Sequence, residues 1–322
     1  MNYLITGGAG FVGSHLAETL LKQGHKVIII DDLSTGSLNN IKSFENHPNF
    51  TKYIDTILNE KLMDKLISEA DYVYHLAAAV GVKYIIENAL KSLLINVRGT
   101  EIMLEYCHKN NNKPLLITST SEVYGKNENA PFNETDDSVI GSTAITRWGY
   151  ACSKMFDEFL AFAYYRERKL PVTIVRLFNT CGPRQTGQYG MVIPRFIMQA
   201  LKNEAITVYG DGTQTRSFTS VYDVVWALIK LSETKNSFGE IFNIGNNDPI
   251  TIRELAELVI KLTNSKSKIQ YIDYKDAFSS GFEDMKYRVP DISKIKNFIG
   301  YNPKIKIVEL LNSVIEEKKT LI

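Results

Sequence analysis

Two groups of residues in this chain can do chemistry. The first is Gly7-Gly8-Ala9-Gly10-Phe11-Val12-Gly13. Glycines at 7, 10 and 13 have no Cβ, so the backbone can turn tightly and approach a pyrophosphate. The N–H groups and positive end of a following helix would then face its negative charge. The second group is Tyr150-Ala151-Cys152-Ser153-Lys154. Residues four apart on a helix share a face, so the Tyr150 phenol and the Lys154 ammonium can reach one pocket. A free tyrosine titrates near ~10 and is a poor base at neutral pH. A neighbouring cation favours the phenolate and is expected to lower that value. With Ser119-Thr120-Ser121 as partners, a dinucleotide cradle beside a proton-transfer pair predicts redox chemistry at a hydroxylated carbon.

An acid must follow for the cradle to hold a dinucleotide. Asp31, with Asp32 beside it, closes the second apolar run at the distance expected for a group accepting from the adenosine ribose hydroxyls. A carboxylate there repels the extra phosphate of NADP, so the expected cofactor is NAD. No metal is expected. His15, His25, His47, His75 and His108 are scattered, and Cys107, Cys152 and Cys181 show no ligand-like clustering.

These residues need a scaffold. At 322 residues the chain can build one large domain or two coupled ones. Tyr3–Thr6, Val27–Ile30, Tyr72–Leu76, Leu115–Thr118 and Val172–Val175 read as strands. Helical patterns lie near 11–23, 60–69, 88–109 and 149–168. The alternation predicts an α/β fold, a doubly wound parallel sheet of Rossmann type with a smaller C-terminal substrate-binding region. The expected division is 1–178 for NAD and 179–322 for substrate, with 218–246 returning to the first sheet. Loop chemistry at Cys181–Gly187 marks the change, followed by helices near 192–202, 221–232 and 251–263, a strand at 241–244 and a mixed tail. The formal net charge is +1 and there is no long block of like charge, which gives no support to a nucleic-acid or membrane-surface role. No apolar run approaches membrane-spanning length, and residues 1–5 lack the cationic region of a signal peptide. A cytoplasmic protein with reduced thiols is expected.

Further motifs follow in order: His75-Leu76-Ala77-Ala78, Asn96-Val97-Arg98-Gly99-Thr100, Thr118–Gly125, Arg176-Leu177-Phe178-Asn179, Gly182-Pro183-Arg184, Val208–Gly212, Gln214-Thr215-Arg216 and Arg288–Ile292. In these the chain resembles the extended short-chain dehydrogenase/reductases, specifically the nucleotide-sugar epimerases, dehydratases and decarboxylases, over nearly all of its length. The resemblance implies a nucleotide diphosphate sugar bound between the two regions. Asn179 and Arg216 would hold its phosphates, with Arg288 near the ribose or phosphate and Arg184 in the same set. Guanidinium groups suit a pyrophosphate because their hydrogen bonds are charge-assisted and often bidentate. It also implies cofactor contacts from Phe11, Val12, Leu76 and Ala77, with Asp55 near the adenine and Asn96 at the cofactor edge. Many relatives dimerise through helices corresponding to 88–109 and 149–168, so a homodimer is expected.

The family's shared first step is oxidation at sugar C4. Tyr150 takes the hydroxyl proton while Thr120 hydrogen-bonds the same oxygen. Re-reduction from the other face gives a 4-epimer, loss of water gives a 4,6-dehydratase product, and a C6 carboxylate lets the β-keto acid lose carbon dioxide. Thr120-Ser121-Glu122 resembles the decarboxylases of UDP-glucuronate and one class of GDP-sugar dehydratases. A carboxylate at Glu122 can act as acid or base beside C5, which an epimerase does not need. Arg147-Trp148-Gly149-Tyr150 and Gly281–Arg288 look like the decarboxylase domain of the aminoarabinose lipid pathway, and Phe178–Pro290 looks like UDP-xylose synthases. Gln185–Gly190 departs from the decarboxylase pattern. The first reading is therefore an NAD-dependent UDP-glucuronate decarboxylase. The second is a UDP-sugar 4-epimerase, then a dehydratase. A nucleotide-binding scaffold is the reading outside this class, and the intact Tyr150, Lys154 and Thr120 argue against it.

Overall fold

The computed structural model describes residues 1–81, 85, 87–187, 191–273, 276, 285 and 287–320. Short β-branched runs become strands β1 (Asn2–Thr6), β2 (Lys26–Asp31), β3 (Phe50–Ile54), β4 (Tyr72–His75), β5 (Leu115–Thr120) and β6 (Val172–Leu177). Between and after them come α1 (Phe11–Lys22), α2 (Glu60–Glu69), α3 (Ala89–Lys109) and α4 (Thr146–Arg168). These six strands and a later one, β11 (Ile241–Ile244), form a seven-stranded sheet in the order β11-β6-β5-β4-β1-β2-β3, parallel throughout.

Successive strand residues face opposite sides. Ile5 therefore joins a core with Leu16 and Leu20 of α1 and with Leu228 of α6 (Val221–Ser232). Its neighbour Leu4 joins the opposite core, with Leu66 of α2 and Met103 of α3. Burial on both faces explains why these strands are nearly continuous apolar runs. The strand order reverses between β1 and β4, so their carboxyl ends open a crevice at a topological switch point.

The sequence pattern missed β3. Its Thr51 and Lys52 break the apolar run, because an edge strand can expose side chains that a central strand must bury. The residues after Asn179 build a second core. Phe196 of α5 (Val192–Leu201), Val208 of β8 (Ile206–Tyr209), Leu255 of α7 (Ile252–Thr263) and Val314 of α9 (Ile307–Lys319) meet there. A capping box between Thr251 and Glu254 starts α7. Strand β8 pairs in parallel with β13 (Ile269–Ile272), and β7 (Thr180–Cys181) with β10 (Thr219–Ser220). In a three-stranded sheet, β9 (Thr215–Ser217) lies between β12 (Pro249–Thr251) and β14 (Tyr287–Arg288). The mixed tail of the sequence reading contains α8 (Ser293–Ile299) and α9. Strand β11 and helix α6 lie with the first region although they follow residue 179, because β11 pairs with β6 and α6 packs beside α1.

Candidate active site

The crevice is lined at one end by the glycine loop. Gly7 sits at φ +71°, and a Cβ there would lie 2.9 Å from the Ala77 nitrogen. A Cβ on Gly13 would collide with the Gly7 carbonyl oxygen. Positions 7 and 13 of the loop therefore admit no side chain. Gly10 caps α1 with no side-chain hydrogen bond, which leaves the helix N-terminus to a ligand. Gly7, Gly10, Phe11, Val12 and Gly13 all line the cavity, as do Asp31, Asp32, Leu76 and Ala77. Asp31 also accepts hydrogen bonds from the Ala9 N–H (3.0 Å) and the Leu33 N–H (2.8 Å), so it braces the loop. Burial pushes its carboxyl upward. These features fit a dinucleotide, with its diphosphate at the α1 N-terminus and a ribose at Asp31.

Two expected cofactor residues stand one layer back from the wall. Asp55 follows β3 and accepts from the Thr56 N–H (2.7 Å) and from Asn59 Nδ2 (2.8 Å), while Thr56 and Ile57 are the lining residues. Asn96 is buried, and its Oδ1 accepts from the Ala79 N–H at 2.7 Å. Ala79 and Ile95 reach the cavity in its place. Both side chains are engaged by neighbours within the protein, Asp55 by Asn59 and Asn96 by Ala79 and Ser153.

Thr120, Tyr150 and Lys154 line the other end. Helix α4 is fixed to the sheet by a buried clamp: Glu158 accepts from Arg176 of β6 (2.9 and 2.7 Å) and from the Ser119 hydroxyl of β5. The expectation that Lys154 lowers the Tyr150 value is corrected. Burial pushes the Tyr150 phenol well up, and the Glu122 charge adds to it; Thr120, by hydrogen bonding, and Arg288, by its charge, oppose the rise. Lys154 is occupied elsewhere, with its Nζ 2.8 Å from Asp157 Oδ2. Beneath the pair, burial holds the His75 imidazole down at about 3, neutral between the Thr6 (2.8 Å) and Thr100 (3.3 Å) hydroxyls.

Beyond Tyr150 lies a charged cluster. Thr120 caps the short turn Ser121–Tyr124 by accepting from the Glu122 N–H. Arg147, from the first turn of α4, grips the Glu122 carboxylate through Nη2 at 3.1 and 3.2 Å, and Nε lies 3.3 Å from Oε2. Arg288 reaches the same carboxylate and donates to Asn179 Oδ1 at 3.1 Å. The parallel β9–β14 pairing sets Arg288 opposite Arg216. Asn179, Arg216 and Arg288 are thus brought together by elements far apart in sequence.

Ser121 is buried and does not line the cavity. Arg184 is placed away from the Arg288 cluster. Its guanidinium pairs with Glu18 of α1, and its backbone N–H donates to Glu317 of α9. Those carboxylates draw it to the back of the glycine-loop helix, so it ties the 182–187 loop to both regions. The stretches 188–190 and 281–284, with Lys286, lie outside the described residues. Sequence reasoning quoted Arg147 only as part of a motif and missed Asp157 altogether. The one available signal for Asp157 was its place three residues after Lys154. Among the described residues, no cluster could hold a metal, the cysteines are free, and no helix is long and apolar enough to cross a membrane.

The family model described as GDP-mannose 4,6 dehydratase matches residues 4–314. A UDP-N-acetyl-alpha-D-glucosaminuronate decarboxylase of Bacillus cytotoxicus is 42% identical, covering 97% of this chain and 96% of that protein. UDP-glucuronic acid decarboxylase 3 of Arabidopsis thaliana is 39% identical, covering 96% of this chain and 86% of that one. The solved structure of the UDP-glucuronic acid 4-epimerase from Bacillus cereus, in complex with UDP-glucuronic acid and NAD, has a TM-score of 0.90 at 31% identity and covers 100% of both chains.

Proposed function

The chain belongs to the GDP-mannose 4,6 dehydratase family of extended short-chain dehydrogenase/reductases, and from that premise we propose that it is an NAD-dependent UDP-hexuronate decarboxylase. The expected substrate is UDP-glucuronate or its 2-acetamido analogue, and the product is the corresponding UDP-pentose. The observation that carries this reading is the cluster of Glu122 with Arg147 and Arg288 beside Tyr150. One carboxylate and two guanidiniums carry a net positive charge in a largely buried site, which favours an acidic sugar over a neutral one.

Bound NAD supplies the acceptor, and later the donor, of the C4 hydride. Tyr150 accepts the C4 hydroxyl proton, with the Thr120 hydroxyl beside it. The C5–C6 bond of the resulting β-keto acid then breaks. Its electron pair moves into the C4 carbonyl as an enolate, and C6 leaves as carbon dioxide. Arg288 orients the departing carboxylate, and Glu122 relays the proton that C5 must gain. Tyr150 returns its proton as C4 is reduced. Arg216 and Asn179 support the diphosphate.

Incubation with UDP-glucuronate, and separately with UDP-N-acetylglucosaminuronate, tests the reading. Released carbon dioxide and a UDP-pentose mass are expected. An isomer of unchanged mass would replace this reading with 4-epimerisation, and loss of water with dehydration.

Helices α3 and α4 pack on each other and leave Leu90, Leu94, Phe156 and Phe159 well exposed. Two copies joined across these side chains would bury them, which supports a homodimer. A cytoplasmic location accords with the three free thiols.

A further inference from the structure

The Glu122 carboxylate is held from two sides by unequal grips. Arg147 reaches both of its oxygens: Nη2 lies 3.2 Å from Oε1 and 3.1 Å from Oε2, and Nε donates to Oε2 at 3.3 Å. Arg288 touches Oε1 alone. Arg147 stands in the first turn of the 23-residue helix α4, with its side chain 5% exposed and its guanidinium beside the buried Trp148 ring. Arg288 belongs to the two-residue strand β14, at the edge of its sheet. Its Nη1 donates to Asn179, while its Nε is buried with no hydrogen-bond partner. A buried guanidinium N–H without an acceptor is costly, and an incoming anion would satisfy it. We propose that Arg147 is a positioning residue that keeps Glu122 in place while the carboxylate of an acidic sugar replaces Glu122 at Arg288. This rests on the hexuronate reading of the site.

Two carboxylates compete for one guanidinium. Before a sugar binds, Glu122 is shared between Arg147 and Arg288. The C6 carboxylate of a hexuronate can take Arg288 only if Glu122 lets go. Glu122 lets go at small cost, because both of its oxygens keep a donor from Arg147. Its backbone N–H also stays bonded to the Thr120 hydroxyl, so the turn that carries it does not move. Arg147 and Glu122 then balance each other, and Arg288 offers its positive charge to the sugar. Without Arg147, releasing Arg288 would strip a largely buried carboxylate of the cation that remained to it among the described residues, which is unfavourable. Glu122 would keep Arg288, and the acidic sugar would lose its anchor. The same exchange leaves Glu122 beside Tyr150, where the proposed proton relay to C5 needs it.

The test is equilibrium binding to the NAD-loaded full chain, with Tyr150→Phe in every sample so that nothing turns over. UDP-glucuronate and UDP-glucose are titrated by calorimetry, and the ratio of their affinities is the readout. Arg147→Gln should lower the preference for UDP-glucuronate about tenfold, the scale of coupling between charged groups in contact. With Glu122→Gln added, the same substitution should change the ratio by less than about twofold, because no carboxylate is left to compete for Arg288. Arg147→Lys keeps the charge but not the fork and should fall between; it takes the place of Arg147→Gln in both backgrounds if that variant does not fold. An equal loss in both backgrounds would mean that Arg147 meets the sugar carboxylate itself. A ratio unchanged in both would mean that Arg147 only supports the fold. Either result overturns the proposal. A parent chain with no preference for the acidic sugar overturns the hexuronate reading and this inference with it, whereas a parent preference that Arg147→Gln leaves intact overturns this inference alone.

Discussion

In the proposed cycle Tyr150 takes up and returns one proton, and its surroundings set when it can do so. Burial and the carboxylates of Glu122 and Asp157 hold the phenol protonated in the free protein. Tyr150→Phe keeps the ring packing and removes only the oxygen. Turnover should fall about a thousandfold, while the NAD dissociation constant stays within about twofold, since the dinucleotide is held mainly at the glycine loop. Single-turnover kinetics alongside equilibrium binding checks both halves, and near-normal turnover would remove Tyr150 as the base. Glu122→Gln keeps the shape between Arg147 and Arg288 but loses the exchangeable acid. Carbon dioxide release should drop about a hundredfold, with C4 oxidation spared, so reduced cofactor accumulates in its near-ultraviolet absorbance. Release at the wild-type rate would leave Glu122 a purely structural partner of the two arginines.

Elements decide how well these residues are aimed. The sheet delivers the glycine loop, Leu76-Ala77 and Thr120 from the carboxyl ends of β1, β4 and β5. Helix α4 delivers Tyr150, Lys154 and Arg147, and its position is set by the Ser119–Glu158–Arg176 clamp. At the cradle, Gly13→Ala drives a methyl group into the Gly7 carbonyl oxygen. Overpacking of this kind costs about 1–3 kcal/mol and should push α1 away from β1. A lowered melting temperature and weakened NAD binding, followed together by thermal shift with and without cofactor, are expected. A variant that binds NAD normally would mean that the loop can relax without loss of the cradle.

At the scale of the molecule, the second region closes over the first through contacts the sequence does not advertise. Arg184 joins α1 to α9, and Arg288 joins β14 to Glu122 after β5. Assembly is the remaining question at this scale. Phe159 on α4 is 71% exposed and Leu90 on α3 is 72% exposed. Phe159→Glu places a charge in the middle of that apolar face and should convert a homodimer to monomers, read by size-exclusion chromatography with light scattering. An unchanged dimer mass would move the interface elsewhere.

Local chemistry made much of this legible. Glycines at 7, 10 and 13 admit few uses after an apolar strand, and Tyr150 with Lys154 share a helix face whatever the fold. The alternation of apolar runs and helical patterns determined a doubly wound sheet, because burial on both faces demands it. The charge partners were not legible. Arg147 from α4 and Arg288, which lies 166 residues beyond Glu122, meet at the Glu122 carboxylate, Lys154 turns to Asp157, and Arg184 leaves the substrate set for Glu18 and Glu317. Electrostatic pairing depends on distance in space and on exclusion of water, and only the packed chain fixes either of them.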